Sequence, residues 1–172
     1  MPVIRSKEFI LRPFRKGDET SLTGNISNRK IARNTLAIPY PYTLKAAGFW
    51  VRYNRALAKK RKRPQFHFAI DIGGEVAGGM GLSHVNGHSA EIGYWLGENY
   101  WGRGIATGAV KLLTKYAFTG LGLRRVYAYV FSFNKASARV LEKAGYKFEG
   151  KLQKAVLKNG KPIDELVFAK VR

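Results

Sequence analysis

The sequence contains no cysteine and only eleven acidic residues, and each shortage excludes a class of chemistry. Without cysteine the chain has no disulfide, no thiolate nucleophile and no thiolate metal site. Of its three histidines, His84 and His88 lie on either side of an Asn-Gly turn rather than on one helix face, and His67 is distant, so we expect no metal. No apolar run approaches the ~20 residues of a membrane span, and the first ten residues lack the apolar stretch of a signal peptide. We therefore expect a cytoplasmic protein without a membrane segment.

Basic residues are abundant where acids are scarce. Thirty-one Lys and Arg give a net charge of +20, and residues 1–63 hold sixteen of these bases but only three acids. A field of this sign favours anionic partners such as a polyphosphate cofactor, RNA or a ribosome surface, although solubility alone explains it equally well. The run KKRKR, Lys59 to Arg63, is either the solvated end of a helix or a nucleic-acid contact.

The hydrophobic pattern predicts one α/β domain over residues 1–172. Seven strands are expected, at 8–14, 66–72, 75–84, 89–97, 124–131, 147–157 and 163–171. The second to fourth form an antiparallel meander, because Gly73-Gly74 and Asn86-Gly87 separate them as tight turns, and Asn159-Gly160 joins the last two. Helices are expected after Asp18 as N-cap, at 28–35, at 44–61 with Thr43 as N-cap, at 104–118, and at 134–144 before Gly145.

The stretch ENYWGRGIATGAV, Glu98 to Val110, places Gly102 and Gly104 around Arg103 between a strand and a helix. Such a turn presents unpaired amides at the positive end of a helix dipole, where phosphate or pyrophosphate binds. It lacks the Gly-Lys-Ser/Thr of a Walker A loop, and its G-x-G-x-x-x-G spacing is one residue longer than the Rossmann fingerprint. The alternative is a turn without a ligand. Gly108 lies inside the helix, where glycine costs about 1 kcal/mol relative to alanine, so we expect close packing there.

Several longer segments carry a resemblance to a known family. The segments ILRPFRKGD, IGYWL, YWGRGIAT, NKAS and AGYKFEG together resemble the GCN5-related N-acetyltransferases (GNAT), in the branch that includes the ribosomal-protein N-terminal acetyltransferases RimJ and RimL. The resemblance extends over essentially the whole chain. It implies a mixed, mostly antiparallel twisted sheet of about seven strands with about four flanking helices, and acetyl-CoA as the cofactor.

The resemblance also implies which residues bind the cofactor. The family's Q/R-x-x-G-x-G/A pattern falls on Asn99 to Gly104, with Asn99 in place of Gln or Arg. Backbone amides of Gly102, Arg103, Gly104, Ile105, Ala106 and Thr107 would bind the pyrophosphate, and the backbone of Tyr94, Trp95 and Leu96 would pair with the pantetheine arm. Asn134 would hold the pantetheine side, while Arg139 and Lys143 are candidates for the adenosine phosphates.

Two residues are candidates for proton transfer. Glu91, on the strand beside the cofactor, is the candidate general base, acting through water; alternatively it is an exposed strand charge. Ser137 is the candidate hydroxyl near the sulfur; alternatively it bonds the backbone of its own helix turn. The chain departs from the family at two positions. Leu141 stands where many members have a tyrosine that protonates the thiolate, and Val156 stands about where RimL-type enzymes have a catalytic glutamate.

The resemblance places the acceptor groove near four aromatic residues, Tyr40, Tyr42, Trp50 and Tyr53. For Trp50 the alternative is core packing, and the tyrosines are the better groove candidates because a buried phenol needs a partner. We expect an N-acetyltransferase that transfers acetyl directly to a primary amine, first of all the N-terminal α-amine of a protein, which a ribosomal protein would supply. Contact with a ribosome or RNA through the basic surface and a monomeric or homodimeric state complete the expectation. The alternatives are acetylation of a small-molecule amine, and a non-catalytic GNAT-like module that binds CoA or RNA.

Overall fold

A central eight-stranded sheet organises the part of the chain that the structure describes. This computed structural model describes residues 1–61 and 63–172. Its strands are β1 (Ile4–Arg5), β2 (Ile10–Arg12), β3 (Phe66–Ile72), β4 (Glu75–Ser83), β5 (Ser89–Leu96), β6 (Arg125–Phe131), β7 (Lys147–Lys158) and β8 (Lys161–Val171). They lie in the order β1-β2-β3-β4-β5-β6-β8-β7.

The pairing of β5 with β6 interrupts an otherwise antiparallel sheet. These two strands are parallel, and they pair only where Ser89–Glu91 faces Arg125–Tyr127. Beyond Glu91, β5 stays paired with β4 on its other side, while β6 stays paired with β8. The two strands therefore diverge and leave a gap in the middle of the sheet, which we call the β5–β6 gap.

Five helices cover the two faces of the sheet within the described residues. They are α1 (Glu19–Ile26), α2 (Arg29–Asn34), α3 (Leu44–Lys59), α4 (Ile105–Thr119) and α5 (Lys135–Lys143). The larger hydrophobic cluster joins α4 and α5 to one face, which includes Ile92 and Val126, and we call this the α4 face. A smaller cluster joins α1, α2 and α3 to the opposite face, which includes Ala69 and Trp95, and we call this the α3 face. No helix of the described chain is long and apolar enough to cross a membrane.

Turn chemistry follows the sequence at two of the three predicted hairpins. Gly73 and Gly74 have φ of 64° and 92°, and Asn159 and Gly160 have φ of 51° and 74°, as a two-residue turn with positive φ requires. The prediction for Asn86-Gly87 was wrong, because β4 ends at Ser83 and the connection is five residues long. There the Asn86 side chain accepts a hydrogen bond from Ser89 Oγ (2.8 Å) instead of continuing the ladder.

The sheet and helices confirm the predicted fold class, with a few local differences. An additional edge strand, β1, precedes the predicted opening strand, which shortens to β2. Asp18 precedes α1 as predicted, but its carboxylate makes no cap bond and instead binds Arg12. Helix α3 ends at Lys59 rather than Arg61, so four residues of the KKRKR run follow it.

Two further predictions about local packing have different outcomes. In the KKRKR run, Arg63 folds back over the ring of Phe66, 5.4 Å from its centroid, whereas Lys62 lies outside the described residues. The expected close packing at Gly108 is confirmed, because a Cβ built on this residue would lie 3.3 Å from Phe9 Cε1. Helix α4 therefore approaches Phe9, the residue directly before β2, through a position that has no side chain.

Candidate active site

The glycine turn before α4 presents a row of amides without a side-chain cap. Gly102 and Gly104 have φ of 74° and 76°, which confirms the predicted need for glycine at both positions. The first backbone hydrogen bond of the helix runs from Gly108 N to Gly104 O (2.9 Å). The amides of Ile105, Ala106 and Thr107 therefore belong to the open first turn. No acidic side chain occupies this turn, and space is open above both glycines, so an anion fits there.

Two aromatic residues fix the ends of this turn. Trp101 donates its indole N–H to Leu96 O (2.7 Å) and thereby ties the turn to the end of β5. The Arg103 guanidinium lies over the Tyr100 ring, 5.7 Å from its centroid, which keeps a positive charge beside the open amides. The sequence motif did not reveal this role of Trp101. A tryptophan directly before a glycine turn is nevertheless a usable signal, because the N–H of a partly buried indole needs an acceptor.

The β5–β6 gap adjoins the turn along the chain and exposes a strand edge. Among the residues that the structure describes, no strand pairs with the β6 side of β5 beyond Glu91, over Ile92–Leu96. An extended ligand arm pairs with such an edge through the main chain. Of the predicted pantetheine residues, Tyr94 turns its side chain toward the α4 face and Trp95 toward the α3 face, and both contribute backbone to this edge.

On the α4 face, two hydroxyl groups meet beside the gap. Tyr94 Oη lies 2.8 Å from Ser137 Oγ and 3.2 Å from Ser137 O, which links β5 to the first turn of α5. Asn134 caps the same helix, because its Oδ1 accepts from Ser137 N (3.1 Å). Burial raises the pKa of Tyr94 to about 12, against a smaller lowering by the bond to Ser137, so the phenol is protonated at neutral pH. Asn134 and Ser137, the two residues predicted at the start of α5, therefore both lie beside the gap.

On the α3 face, Glu91 lies at the mouth of the gap. It is the last residue of β5 that pairs with β6, opposite Tyr127. Its carboxylate lies 3.1 Å from His84 Nδ1, an exposed ring, and the Glu91 side chain is itself half-buried. The structure thus places the predicted base where the two strands separate.

A second carboxylate, Glu165, lies on the same face and was not among the predicted residues. It pairs with Phe131 on β6, four residues beyond Tyr127, and alternate residues of a strand share a face. Only 9% of Glu165 is exposed. Burial raises the pKa of this carboxyl, and the nearby negative charge of Glu91 raises it further. We call Glu91 and Glu165 the carboxylate pair.

Glu165 is the one buried carboxylate among the described residues that lacks a cation. The other two, those of Asp18 and Asp71, each lie within 4 Å of an arginine nitrogen. No such nitrogen lies that close to Glu165 among the same residues. The sequence did contain a signal, because Glu165 occupies the apolar phase of β8, in register with Ile163, Val167 and Ala169.

The family of the chain follows from this geometry together with a direct comparison. A profile described as an acetyltransferase (GNAT) domain matches residues 8–147, which include β2 to α5 with the glycine turn and the gap. The chain is a GNAT acetyltransferase. As a member of this family it is an acetyl-CoA-dependent N-acetyltransferase, which confirms the reaction class and cofactor predicted from the sequence.

Relatives and solved structures agree with the family over nearly the whole chain. The probable N-acetyltransferase YjcK of Bacillus subtilis is 32% identical over 173 residues, covering 97% of this chain and 96% of its own. The spermidine N(1)-acetyltransferase of Escherichia coli is 27% identical, covering 87% and 78%. The solved structure of RimL, the ribosomal L7/L12 α-N-protein acetyltransferase, in complex with coenzyme A has a TM-score of 0.88 at 22% identity, covering 99% and 98%.

The predicted acceptor aromatics of this GNAT acetyltransferase divide into two groups. Tyr40 is exposed, and Tyr42 is half-buried, where burial raises the pKa of its phenol. Trp50 packs edge-on against Phe14 (6.3 Å between centroids) and stacks on His67 (5.0 Å), so its contacts are those of the smaller core cluster. Tyr53 is exposed and accepts a hydrogen bond from the side-chain amide of Gln65.

The remaining predicted residues lie on the surface of α5. Arg139 and Lys143 are both exposed and one helical turn apart, as a role near the adenosine phosphates requires. His67, which the sequence excluded as a metal ligand, is instead held by Asn54 Oδ1 (2.7 Å), and burial lowers its pKa to about 4. No cluster of three or more metal-ligating side chains occurs in the described chain.

Proposed function

We propose that this enzyme acetylates primary amines, first of all the N-terminal α-amine of a protein, by direct transfer within the β5–β6 gap. The observation that carries the proposal is the arrangement around the gap: open amides at Gly102–Thr107, a hydroxyl pair on the α4 face, and the carboxylate pair on the α3 face. The sequence has no cysteine to form an acyl-thiol intermediate, which favours direct attack. The acceptor therefore enters from the α3 face.

The residues around the gap fit acetyl-CoA. The amides from Gly102 to Thr107 would hold its pyrophosphate, the exposed edge of β5 would pair with its pantetheine arm, and Asn134 would contact that arm from α5. Arg139 and Lys143 would meet its adenosine phosphates. When bound, acetyl-CoA supplies a thioester whose carbonyl carbon the amine attacks, so that the carbon–sulfur bond breaks and the sulfur leaves as a thiolate.

The carboxylate pair would bind the acceptor amine and take its proton. An α-amine has an ordinary pKa near 8, so an ammonium ion enters as a cation and must lose one proton before attack. Glu91 would take this proton through water, and Glu165 shares the negative field and holds the ammonium. Glu165 stands diagonally from Val156, whose direct partner is Ile163 on β8, so β8 supplies a carboxylate near the position where the family resemblance implied one on β7.

Ser137 would assist the departing sulfur with a hydrogen bond. Tyr94 donates to Ser137 O (3.2 Å), and its oxygen lies 2.8 Å from Ser137 Oγ, a contact that orients the serine hydroxyl. Asn134 fixes the backbone beneath it. A thiol has a lower pKa than the Tyr94 phenol, whose pKa is about 12. Ser137 and Tyr94 would therefore stabilise the thiolate by hydrogen bonding and keep their own protons. The attacking nitrogen would lose its second proton to water as the amide forms, and the thiolate would take one proton from water to become the thiol.

A protein acceptor is the first choice, and other acceptors follow from the relatives. RimL acts on a ribosomal protein, which supports a protein N-terminus here, and the net charge of +20 suits docking on a ribosome or RNA-rich particle. A cytoplasmic, monomeric or homodimeric enzyme fits this role. The spermidine N(1)-acetyltransferase similarity makes a small amine the alternative, and a non-catalytic CoA- or RNA-binding module is the other.

A turnover assay separates these functions. The purified protein is incubated with acetyl-CoA and with N-terminal peptides, spermidine or amino acids, and thiol release and product mass are recorded. We expect release of CoA thiol and a peptide heavier by one acetyl group. Turnover of spermidine alone would assign the small-amine function. Absence of turnover on every acceptor, with CoA still bound, would leave the non-catalytic module.

Substitutions test the assigned roles. Glu91→Gln should lower kcat by about 100-fold or more with CoA affinity unchanged, because a general base contributes about 10²–10⁴-fold. Glu75→Gln, at the exposed first residue of β4, is the matched control. Ser137→Ala should lower kcat less, since one hydrogen bond to a charged group is worth about 1.5–3 kcal/mol. Wild-type kcat in the Glu91 variant would remove this residue from the reaction.

Gly104→Ala tests the anion site at the turn. A Cβ at φ 76° strains the backbone and approaches the bound phosphate, so CoA affinity should fall sharply in calorimetry. Gly122→Ala carries similar strain at φ 70° beyond the opposite end of α4 and controls for loss of stability. Equal CoA affinities in the two variants would contradict a phosphate site at Gly102–Thr107.

A further inference from the structure

A cavity of about 580 Å³ lies between α2, the connection that follows it, and the β7–β8 turn. Its charged lining is Arg29, Arg33 and Lys158, and the remaining lining is Tyr40, Asn159 and small or apolar residues. No acidic residue contributes to the lining in the described chain. A cavity of this volume matches the usual size of a binding pocket for a small molecule or a few residues of a peptide.

Each of the three cations is held in place by an aromatic ring. The Arg29 guanidinium lies 5.2 Å from the centroid of Tyr40, and that of Arg33 lies 5.6 Å from Phe133. Lys158 Nζ lies 5.8 Å from the Phe131 centroid and also donates to the carbonyl of Thr35. Cations that are already positioned lose little side-chain entropy when an anion binds between them.

These cations also lack carboxylate partners. In the described chain no carboxylate oxygen lies within 4 Å of Arg29, Arg33 or Lys158, whereas Lys30, their neighbour on α2, pairs with Glu98. Three unpaired cations around one cavity repel each other, and an anion relieves that repulsion. The cavity is therefore electrostatically incomplete without a negative group.

The cavity lies next to the acceptor side of the gap. Phe131, whose ring lies beneath Lys158, is the direct strand partner of Glu165. Phe131 thus links the two features: its ring contacts Lys158 in the cavity lining, and its backbone pairs with the strand position of the unpaired Glu165. An acceptor that extends from the carboxylate pair toward α2 meets opposite charges at its two ends.

We propose that this cavity binds an anionic group, a carboxylate or a phosphate, on the acceptor peptide whose amine lies at the carboxylate pair. This inference rests on the proposed function and adds a substrate class to it. The enzyme selects peptides with an acidic or phosphorylated residue shortly after the N-terminus. Polyamines, which carry only positive charges, are repelled by the same three cations.

A matched peptide series tests this selectivity. Peptides that differ at one position, Glu against Gln and phosphoserine against serine at positions two to four, are compared by kcat/KM. We expect at least a tenfold preference for the anionic member, as one charge-assisted hydrogen bond provides, and a decline of this preference as salt rises. The Glu and phosphoserine arms distinguish a carboxylate from a phosphate. Equal rates for all members would overturn the proposal.

Variants locate the selectivity in the cavity. Arg33→Gln and Arg29→Gln should abolish the preference and leave the rate on the neutral peptide unchanged, whereas Arg33→Lys should retain part of it. Arg55→Gln, an exposed position on α3 with the same loss of charge, should retain the full preference. A preference that survives Arg33→Gln and Arg29→Gln would place the anion elsewhere and contradict the proposal.

A binding measurement separates this inference from the proposed function. If no peptide is acetylated, the proposed function fails, and calorimetric titration of the same peptides without acetyl-CoA still tests the cavity. Tighter binding of the anionic peptide that is lost in Arg33→Gln supports the cavity in that case. Binding that is equal for both peptides rejects it, independently of turnover.

Discussion

Two buried acidic sites in this molecule have opposite chemistry. At the first, Asp18 and Asp71 both bind Arg12, whose nitrogens lie 2.8 Å and 2.6 Å from their carboxylates. At the second, Glu165 is also buried, lies in the negative field of another acid, Glu91, and has no cation within 4 Å among the described residues. A buried carboxylate that is fully paired holds the fold together, whereas one left unpaired is available to a ligand.

The lack of a cation beside Glu165 is unexpected in a chain that has almost three bases for each acid. With thirty-one Lys and Arg in the sequence, a cation beside Glu165 would be easy to supply. The direct strand partners of Glu165 are instead Phe131 and Leu152, neither of which carries a charge. The acceptor amine is the cation that the proposed function brings to this position.

The largest expected effect comes from removing the cation of the paired site. Arg12→Met leaves two buried carboxylates with only their long contacts to Arg15, and breaking a buried pair in this way costs about 3–5 kcal/mol of unfolding free energy. Urea unfolding at neutral pH measures it. Arg15→Met is the control, because this largely exposed side chain contacts the same acids only at 3.6–3.7 Å, and its loss should cost less than about 1 kcal/mol. Similar losses for both variants would remove the distinction between the two arginines.

A smaller effect is expected from converting the unpaired site into a paired one. Leu152→Lys places an ammonium group directly opposite Glu165 on β7, where it competes with the acceptor amine. We expect kcat/KM to fall about 100-fold, because the lost hydrogen bond between the acceptor ammonium and the Glu165 carboxylate is worth about 1.5–3 kcal/mol, while stability stays equal or rises. Leu157→Lys, on the same strand but opposite Pro162, is the control and should keep wild-type activity. Full activity in Leu152→Lys would show that Glu165 does not meet the amine.

The smallest expected effect is a gain in stability when the unpaired acid is neutralised. The folded-state pKa of Glu165 is raised, so between the unfolded and folded pKa values the folded state binds more protons and stability falls as the pH rises. Glu165→Gln removes this fall in stability, so the variant should unfold at a higher temperature than wild type at pH 8. The gain in unfolding free energy should be of the order of 1 kcal/mol. The gain should shrink toward pH 4, as thermal scans at both pH values would reveal. A gain that does not change with pH would have another cause.

The sequence predicted best what depends on neighbouring residues. Gly73-Gly74 and Asn159-Gly160 formed the expected turns, and Gly102 and Gly104 took positive φ, because these conformations are decided within a few residues. Thr43 capped α3 as expected, with its Oγ1 accepting from Ala46 N (3.2 Å). Local chemistry was therefore sufficient for the conformation of these turns and of the α3 cap.

Long-range partners limited the rest of the prediction. Asp18 read as a helix cap from its position, but Arg12 and the distant Asp71 claim its surroundings once the sheet forms. Glu165 appeared as one charge in a strand, and only the pairing of β6 with β8 places it near Glu91. The roles of Glu91 and Ser137 stay predictions until their variants are measured.

The contact between Lys158 and Thr35 joins segments that are 123 residues apart in the chain. A nascent chain emerges from its N-terminus, so α2 leaves the ribosome long before the β7–β8 turn that completes the opposite wall of the cavity. The segments from β5 to α5, which carry the glycine turn and the hydroxyl pair, are also synthesised before that turn. All the segments that we propose to bind the cofactor are therefore synthesised before the turn that closes the proposed acceptor cavity.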